Sequence, residues 1–176
     1  MKRLAIFGSG SGSNAENIFW FFSKSLDIDV VLFATNNNDS AFVERAKNLG
    51  VPVYVFNKKD LNNYVNLHEI LVSKKIDFIV LAGFLLKIPM KMVSFWNKKI
   101  INIHPSLLPK YKGLNTHEKA IKNKDKYAGC TVHYVNEKLD SGKIILQKKV
   151  RIKKNDTPKS LAKKVLKKEH LLYPEA

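Results

Sequence analysis

Short apolar runs alternate with longer amphipathic stretches through the first hundred residues of the chain. The apolar runs predict strands over residues 2–7, 28–35, 51–56, 76–82 and 100–103. The stretches between them carry apolar residues at helical spacing and predict helices over residues 14–25, 40–49, 61–74 and 90–96. Strands that alternate with helices predict an α/β fold, a Rossmann-like and mostly parallel twisted sheet with helices on both faces.

The last third of the chain follows a different pattern. Two predicted strands, over residues 131–136 and 143–152, are separated by the turn residues Asp140-Ser141-Gly142. Two strands that follow each other closely across a turn run antiparallel, because a parallel crossover needs a longer connection. We therefore expect an antiparallel element in the C-terminal part of the sheet.

A helix over residues 157–172 is expected to close the chain, with Thr157 as its N-cap. Pro174 is expected to end this helix, because proline lacks the backbone N–H that a helix needs. No repeat or linker interrupts the sequence, and residues 1–176 are expected to form one domain.

The chain is strongly basic, with a formal net charge of +16, but its basic residues are almost all lysine. Of the 31 basic residues only three are arginine, the type that reads bases and grips phosphates with two hydrogen bonds. Aromatic residues do not interleave with the lysines as they would on a nucleic-acid platform. We expect a solvated lysine-rich surface and no nucleic-acid partner, with a positive field that would attract anionic substrates.

Cysteine content and hydropathy narrow the class of protein further. Cys130 is the single cysteine, so the chain has no internal disulfide, and it is expected to be a small core residue in a reducing compartment. The four-residue apolar run near the start is too short for a signal peptide, and no stretch approaches a transmembrane span. No residues have the spacing of a metal site. A cytoplasmic protein without a metal or membrane partner is expected.

A glycine-rich loop, Gly8-Ser9-Gly10-Ser11-Gly12-Ser13-Asn14, lies between the first strand and the first helix. Glycines allow an anion to approach the backbone closely, and a helix N-terminus presents N–H groups to it. A Walker A loop would need a lysine after its last glycine, and a dinucleotide site would need a carboxylate at the end of the second strand. That strand ends in Thr35-Asn36-Asn37, so a monophosphate ligand fits better than NAD or ATP; an ordinary strand–helix turn is the alternative.

Asn102 and His104 stand two residues apart on the strand that begins at residue 100. Residues i and i+2 of a strand point to the same face, so the amide and the imidazole would lie side by side. The carboxyl ends of strands are where α/β proteins build their sites. Such a pair can donate hydrogen bonds to negative charge that develops on a carbonyl oxygen.

Several motifs together resemble the folate-dependent formyltransferase family. They are GSGSN near the start, LAGF in the middle, NIHPSLLPKYKG from Asn102, HYVNEKLDSGKIILQ, and KEHLLYP near the end. The resemblance covers residues 8–174 and is strongest toward the glycinamide ribonucleotide transformylases. It implies a one-carbon transferase of purine biosynthesis that moves a formyl group from 10-formyltetrahydrofolate, a cosubstrate, to the amine of glycinamide ribonucleotide.

The resemblance also implies roles for individual residues. The catalytic residues would be Asn102, His104 and Asp140. The ribonucleotide would be bound by Gly12, Ser13, Asn14, Lys168 and Glu169. The folate would be bound by Lys59, Leu85, Leu86, Lys87, Ile88, Asn102, Asn136, Glu137, Lys138, Leu139 and Asp140. The sequence departs from the family at Leu86, where many members carry a basic residue. The glutamate tail of the folate is therefore expected to be bound in a different way. The nucleotide-binding half would span about 1–100 and the folate and catalytic half about 101–176.

In the implied mechanism the amine attacks the formyl carbon directly, and Asn102 with protonated His104 stabilises the oxyanion. Asp140 is expected to raise the pKa of His104 and to help move protons through water. Without the resemblance, Asp140 would be interpreted as an ordinary turn residue. Lys59 is interpreted equally well as a surface lysine and as a folate contact. The four other histidines are not expected to be catalytic: His68, His117, His133 and His170.

Three alternatives stay open on the sequence. A formyltetrahydrofolate deformylase and a methionyl-tRNA formyltransferase share the core, but each adds a further domain that we do not expect in 176 residues. A non-catalytic basic domain that binds nucleotide or RNA is the alternative from a different class. The protein is expected to be a monomer or a homodimer.

Overall fold

The structure is a computed structural model that describes residues 1–176, with seven strands and seven helices. In chain order they are β1 (Lys2–Phe7), α1 (Ser13–Phe22), β2 (Ile28–Thr35), α2 (Ala41–Asn48), β3 (Val53–Val55), α3 (Lys58–Asn63), α4 (Val65–Ser73), β4 (Phe78–Leu81), α5 (Met90–Phe95), β5 (Ile100–His104), α6 (Thr116–Lys122), β6 (Tyr127–Tyr134), β7 (Ile144–Arg151) and α7 (Pro158–Glu175).

The seven strands form one sheet in the order β3-β2-β1-β4-β5-β6-β7. β1 pairs in parallel with β2 and β4, and β2 pairs in parallel with β3. β6 and β7 pair antiparallel. The predicted α/β fold with an antiparallel C-terminal element is therefore confirmed.

The chain divides into two compact units, Met1–Ile101 and Asn102–Ala176. The first unit has β1 at its centre, where Ala5, Ile6 and Phe7 are completely buried. Strands covered on both faces bury nearly every residue, which explains why β1 is apolar without alternation. The glycine-rich loop follows directly from the carboxyl end of this buried strand, which fixes where the loop begins.

The second unit is built on the antiparallel pair β6–β7, against which α7 packs. Cys130 and Val132 of β6 are completely buried, as are Leu161 and Val165 of α7. Burial raises the pKa of the Cys130 thiol to about 12, so the thiol stays protonated. Cys130 is the small core residue that the sequence predicts.

The helix predicted over residues 61–74 is wrong as a single element, since the chain forms α3 and α4 instead. Asn57 and Asp60 form a capping box that starts α3 before the apolar run begins. Tyr64 then takes a left-handed conformation with φ 65°, which ends α3 and redirects the chain into α4. The Tyr64 hydroxyl accepts a hydrogen bond from Trp96 Nε1, a distant contact that local sequence does not show.

Strands β3 and β4 both begin two residues later than predicted, for the same reason. The N–H of Val51 donates to the Ala46 carbonyl at 2.9 Å, and the N–H of Ile76 donates to the Leu71 carbonyl at 3.0 Å. These residues therefore close the preceding helices and are not available to the sheet. β6 in turn begins at Tyr127, four residues earlier than predicted.

The prediction that Pro174 ends the last helix is also wrong, because α7 continues through it to Glu175. A proline in the last turn removes one hydrogen bond at most, and Leu172, Tyr173 and Pro174 are all buried. Packing of this turn outweighs the lost bond. None of the seven helices combines the length and the apolar character needed to cross a membrane.

Candidate active site

Asn102 and His104 lie on one face of β5, as the two-residue spacing predicts. His104 is 5% exposed at the strand's end, Asn102 is half-buried, and Ile103 between them is buried on the opposite face. The strand fixes both polar side chains from a rigid backbone. An amide and an imidazole are thereby held at one end of the sheet.

Asp140 comes to this pair from the loop between β6 and β7. Its Oδ2 accepts a hydrogen bond from the Gly113 N–H at 2.8 Å and lies 3.3 Å from His104 Nδ1. Its backbone has φ 46°, a conformation that aspartate tolerates better than most residues. The structure therefore brings His104 and Asp140 into contact across 36 residues of sequence.

Both ring nitrogens of His104 face oxygen atoms. Nε2 lies 2.8 Å from the Tyr111 carbonyl, which can only accept, so Nε2 carries a proton. Nδ1 faces the Asp140 carboxylate, so the space between Nδ1 and Oδ2 is suited to one further proton. The two groups form a place that can take up a proton during a reaction.

The charge of His104 differs from the sequence prediction. Burial lowers the pKa of His104 below its ordinary value, and the Tyr111 carbonyl and the Asp140 carboxylate act in the opposite direction without overcoming it. Asp140 raises the pKa of His104 as predicted, but burial lowers this pKa by more, so the net direction is opposite to the predicted one. Burial therefore favours the neutral imidazole in the resting protein.

Asp140 itself is held as a carboxylate. Burial raises the pKa of Asp140, whereas the His133 ring when protonated, the Gly113 N–H and the His104 ring when protonated lower it, and the net pKa lies below its ordinary value. A charged acceptor and a neutral imidazole therefore stand side by side.

His133 is the residue that the sequence interpretation missed. Its ring is 2% exposed, and its Nε2 lies 3.1 Å from Asn102 Nδ2 and 3.6 Å from Asp140 Oδ1. It thus stands between two of the predicted catalytic residues. Polar residues at alternate positions of the otherwise apolar β6, Thr131 and His133, are the signal that would have found it.

Thr131 holds the loop that follows β5. Its hydroxyl donates to the Ser106 carbonyl at 2.6 Å and accepts from the Leu108 N–H at 3.1 Å. Gln147 Nε2 donates to the same hydroxyl at 2.8 Å and to the Leu108 carbonyl at 2.9 Å. This network fixes the segment that carries the Tyr111 carbonyl to His104.

The glycine-rich loop of the first unit is shaped by its backbone. Gly12 has φ 75° and occupies the N-cap position of α1. A Cβ at Gly12 would lie 2.9 Å from Phe42 Cα, so only glycine fits without a shift in the backbone. The helix begins at Ser13, and its first turn presents the N-terminal end of the helix dipole to the loop.

Arg45 of α2 ties this loop down, a contact that the sequence interpretation also missed. Its Nε donates to the Ser11 carbonyl at 2.8 Å, and its guanidinium forms an ion pair with Glu16 in the first turn of α1. Because both partners are about one third exposed, the ion pair contributes mainly to orientation.

Ser9 connects the glycine-rich loop to the loop after β4. Its hydroxyl donates to Asn36 Oδ1 at 2.6 Å and accepts from the Leu85 N–H at 3.0 Å. Two segments that the sequence assigns to different ligands are therefore neighbours within the first unit.

The other predicted binding residues differ widely in exposure. Ile88 and Glu169 are buried, Leu86 is half-buried, and the following are exposed: Lys59, Leu85, Lys87, Asn136, Glu137, Lys138, Leu139 and Lys168. Asn136 Oδ1 accepts from the Lys138 N–H at 3.0 Å, so the segment before Asp140 is a closed turn. No three His, Cys, Asp or Glu side chains are arranged to hold a metal ion.

Known proteins match both the sequence and the fold. The family model described as formyl transferase matches residues 2–176. A chloroplastic phosphoribosylglycinamide formyltransferase of Arabidopsis thaliana is 42% identical over 99% of this chain and 63% of its own length. The human trifunctional purine biosynthetic protein adenosine-3 is 38% identical over 99% of this chain and 18% of its own length.

Solved structures agree with these relatives. The phosphoribosylglycinamide formyltransferase from Anaplasma phagocytophilum has a TM-score of 0.94 and 40% identity, covering 98% of this chain and 83% of that chain. The enzyme of the same name from Bacillus halodurans has a TM-score of 0.92 and 39% identity, covering 98% and 92%. The chain belongs to the formyl transferase family.

Proposed function

We propose that the protein transfers a formyl group from 10-formyltetrahydrofolate to the amine of glycinamide ribonucleotide in purine biosynthesis. The observation that carries this proposal is the arrangement of the half-buried Asn102 with the buried His104 and Asp140, all three next to His133 or to each other. The names of the relatives support the same reaction. Because the chain spans 63% of the plant relative and 18% of the human one, only the formyl transfer step is proposed.

The reaction exchanges one C–N bond for another. The amine nitrogen attacks the formyl carbon, and the carbonyl π electrons move to the formyl oxygen to give a tetrahedral oxyanion. The attacking nitrogen loses a proton, and N10 of the folate gains one as its bond to the carbon breaks. The products are the formylated ribonucleotide and tetrahydrofolate.

Asn102 is proposed to stabilise the oxyanion. A carboxamide has two N–H donors, and His133 Nε2 takes up one of them. The second can donate to the formyl oxygen as charge develops there, a contribution that typically lowers a barrier by about 3–4 kcal/mol.

His104 and Asp140 are proposed to receive the proton that the amine loses, through water. The position between His104 Nδ1 and Asp140 Oδ2 is suited to it. Protonated there, His104 becomes a cation beside the oxyanion at the stage when negative charge is greatest. A neutral resting imidazole is therefore an advantage, since it can accept a proton that an imidazolium could not.

The ribonucleotide phosphate is proposed to bind in the predicted half of about 1–100, and formyl transfer to take place in the predicted half of about 101–176. Gly12, Ser13 and Asn14 would hold the ribonucleotide phosphate at the N-terminus of α1. The buried carboxylate of Glu169, next to the exposed Lys168, would bind the ribose.

The residues that the motifs indicate for folate binding lie in the loop after β4 and in the turn before Asp140. Leu85, Leu86, Lys87 and Ile88 form the first, and Asn136, Glu137, Lys138 and Leu139 form the second. Flat heteroaromatic rings bury mainly against apolar side chains, and Leu85 and Leu139 are 70% and 57% exposed. Lys59 and Lys87 are exposed cations for the glutamate tail.

An absorbance assay with 10-formyltetrahydrofolate tests the proposal. We expect formation of tetrahydrofolate only when glycinamide ribonucleotide is present. Formate release without ribonucleotide would instead show a deformylase, and no reaction with either would contradict formyl transfer. Asn102→Ala is the matched control, since it removes the oxyanion donor and leaves the phosphate loop intact.

Assembly and location are proposed separately. We propose a monomer or homodimer in the cytoplasm, acting on small molecules without a nucleic-acid partner. Sedimentation of the purified protein decides the assembly, and fractionation of the source cells decides the compartment.

A further inference from the structure

We propose that His133 is a positioning residue that orients the carboxamide of Asn102, acting as a neutral imidazole with its proton on Nδ1. The proposal rests on the proposed function, because it assigns the reaction's oxyanion donor to Asn102. It gives His133 a role that is separate from the proton uptake by His104 and Asp140.

The tautomer of His133 follows from its neighbours. Nδ1 lies 2.9 Å from the Tyr134 carbonyl, which only accepts hydrogen bonds, so Nδ1 carries the proton. In a neutral ring Nε2 then has a lone pair. Asn102 Nδ2 is 3.1 Å from that lone pair, which is a donor-to-acceptor distance.

This lone pair fixes which way the Asn102 amide faces. If the carboxamide were turned over, its oxygen would meet the Nε2 lone pair, and two acceptors would repel each other. The bound orientation commits one N–H to His133 and leaves the other for the formyl oxygen. Asn102 is half-buried on a strand, so this single contact decides the direction of its donor.

Asp140 is the competing partner of His133. Its Oδ1 is 3.6 Å from Nε2, beyond an ordinary hydrogen bond, so the neutral ring bonds to Asn102 instead. A second proton on the ring would reverse this preference, because Nε2–H would repel the Asn102 N–H and attract the carboxylate. The ionisable groups that face His133 are Asp140 and, beyond it, His104.

Two variants of His133 separate positioning from mere packing. His133→Leu fills the space without an acceptor, whereas His133→Gln offers an amide oxygen near the position of Nε2. We expect His133→Leu to lower kcat at least about tenfold, since a misdirected donor loses much of its effect, with KM for both substrates changed by less than about threefold. We expect His133→Gln to recover most of that loss. An equal loss in both variants, or a change confined to KM, would overturn the proposal.

A double-mutant cycle with Asn102 tests the mechanism directly. If His133 acts through Asn102, then Asn102→Ala/His133→Leu should be no slower than Asn102→Ala alone. Additive losses would mean that His133 acts independently and would overturn the proposal. Melting temperatures of all variants identify any that fail to fold.

Nitrogen NMR of the wild-type protein decides the tautomer without any assay of activity. At neutral pH we expect the chemical shift of His133 Nε2 to be that of an unprotonated nitrogen. A chemical shift typical of a protonated Nε2 would overturn the proposal. If the tautomer is as expected but wild type transfers no formyl group, the proposed function fails and the orienting contact stands. If wild type is active and His133→Leu retains full kcat, the orienting role alone fails.

Discussion

The candidate sites in the two units of this protein are built from different groups, backbone in the first unit and side chains in the second. In Met1–Ile101 the candidate phosphate loop is formed by backbone, and Gly12 provides the close approach that a Cβ would block. In Asn102–Ala176 the candidate catalytic cluster is formed by side chains, and His104, His133 and Asp140 are each at most 9% exposed.

This difference determines which substitutions matter in each unit. A backbone site tolerates loss of a side chain and is damaged by gain of one. A buried cluster of polar side chains is damaged by any loss, because each removed group leaves its partners without a hydrogen bond.

Asp140→Asn should have the largest effect, a loss of about 10²- to 10⁴-fold in rate, the range for a positioned acid–base group. The substitution keeps the shape but removes the charge that can share a proton with His104. The pKa of His104 should fall further, since burial then meets less opposition. Turnover and an NMR titration of His104 measure the two effects.

Asp156→Asn is the matched control for that experiment. Asp156 is also a carboxylate with a lowered pKa in the second unit, but its partners are Lys164, Lys153 and Ser160 near α7. It should leave turnover within about twofold of wild type. An Asp140→Asn enzyme with an unchanged His104 pKa would show that Asp140 is only a turn residue.

Asn102→Ala should lower turnover by about 10²- to 10³-fold, as loss of an oxyanion donor does, and His104→Ala by a similar factor, as loss of a positioned acid–base group does. Affinity for the ribonucleotide should change little, because the candidate phosphate loop lies in the other unit. Turnover measured beside a ribonucleotide titration tests both statements. Near-normal turnover in either variant would remove that residue from the proposed mechanism.

Gly12→Val should weaken ribonucleotide binding at least about tenfold, since a branched side chain at φ 75° is strained and meets Phe42. Ser13→Ala should change affinity by less than about threefold if backbone N–H groups carry the contact. Gly10→Val is the matched control, because a Cβ there meets nothing within 4 Å. Calorimetry gives the three affinities, and normal binding by a folded Gly12→Val protein would rule out this loop.

The sequence predicted the fold best where structure is local. β1 and β2 have the predicted bounds, since their apolar runs are buried by helices on both faces. The break at Tyr64 was not predicted, since the residue takes a left-handed conformation and its hydroxyl accepts a hydrogen bond from Trp96, 32 residues away. Pro174 shows the same limit, since buried packing overrides its helix-breaking character.

The prediction of the candidate site had the same limit. Motif resemblance and strand spacing were enough to select Asn102, His104 and Asp140. His133 and Arg45 were missed because their importance lies in what they touch after folding, Asn102 in one case and the Ser11 carbonyl in the other. The net direction of the His104 pKa was predicted wrongly for a physical reason. The sequence indicates the neighbouring carboxylate, which raises the pKa, but not the depth of burial, which lowers it by more.

The smallest predicted effect is a pH dependence of stability that originates in the second unit. Burial lowers the pKa of both His104 and His117 from the ordinary value of 6.5. As pH falls through about 6.5, the unfolded chain takes up protons that the folded protein does not. The free energy of unfolding should therefore be greatest above this pH and decrease below it, by at most about 1.4 kcal/mol per pH unit for each histidine.

The contribution of Asp140 has the same sign but a different range. The pKa of its carboxyl lies below the ordinary value of 3.8, so its stabilising effect is lost only in stronger acid. His117→Gln should reduce the slope between neutral pH and about pH 5 by the contribution of His117, while leaving turnover near normal. Urea unfolding at a series of pH values measures the slope. A stability that is constant from neutral pH down to about pH 5 would mean that both imidazoles take up protons in the folded protein as they do in the unfolded chain, and burial would then not control the charge of His104.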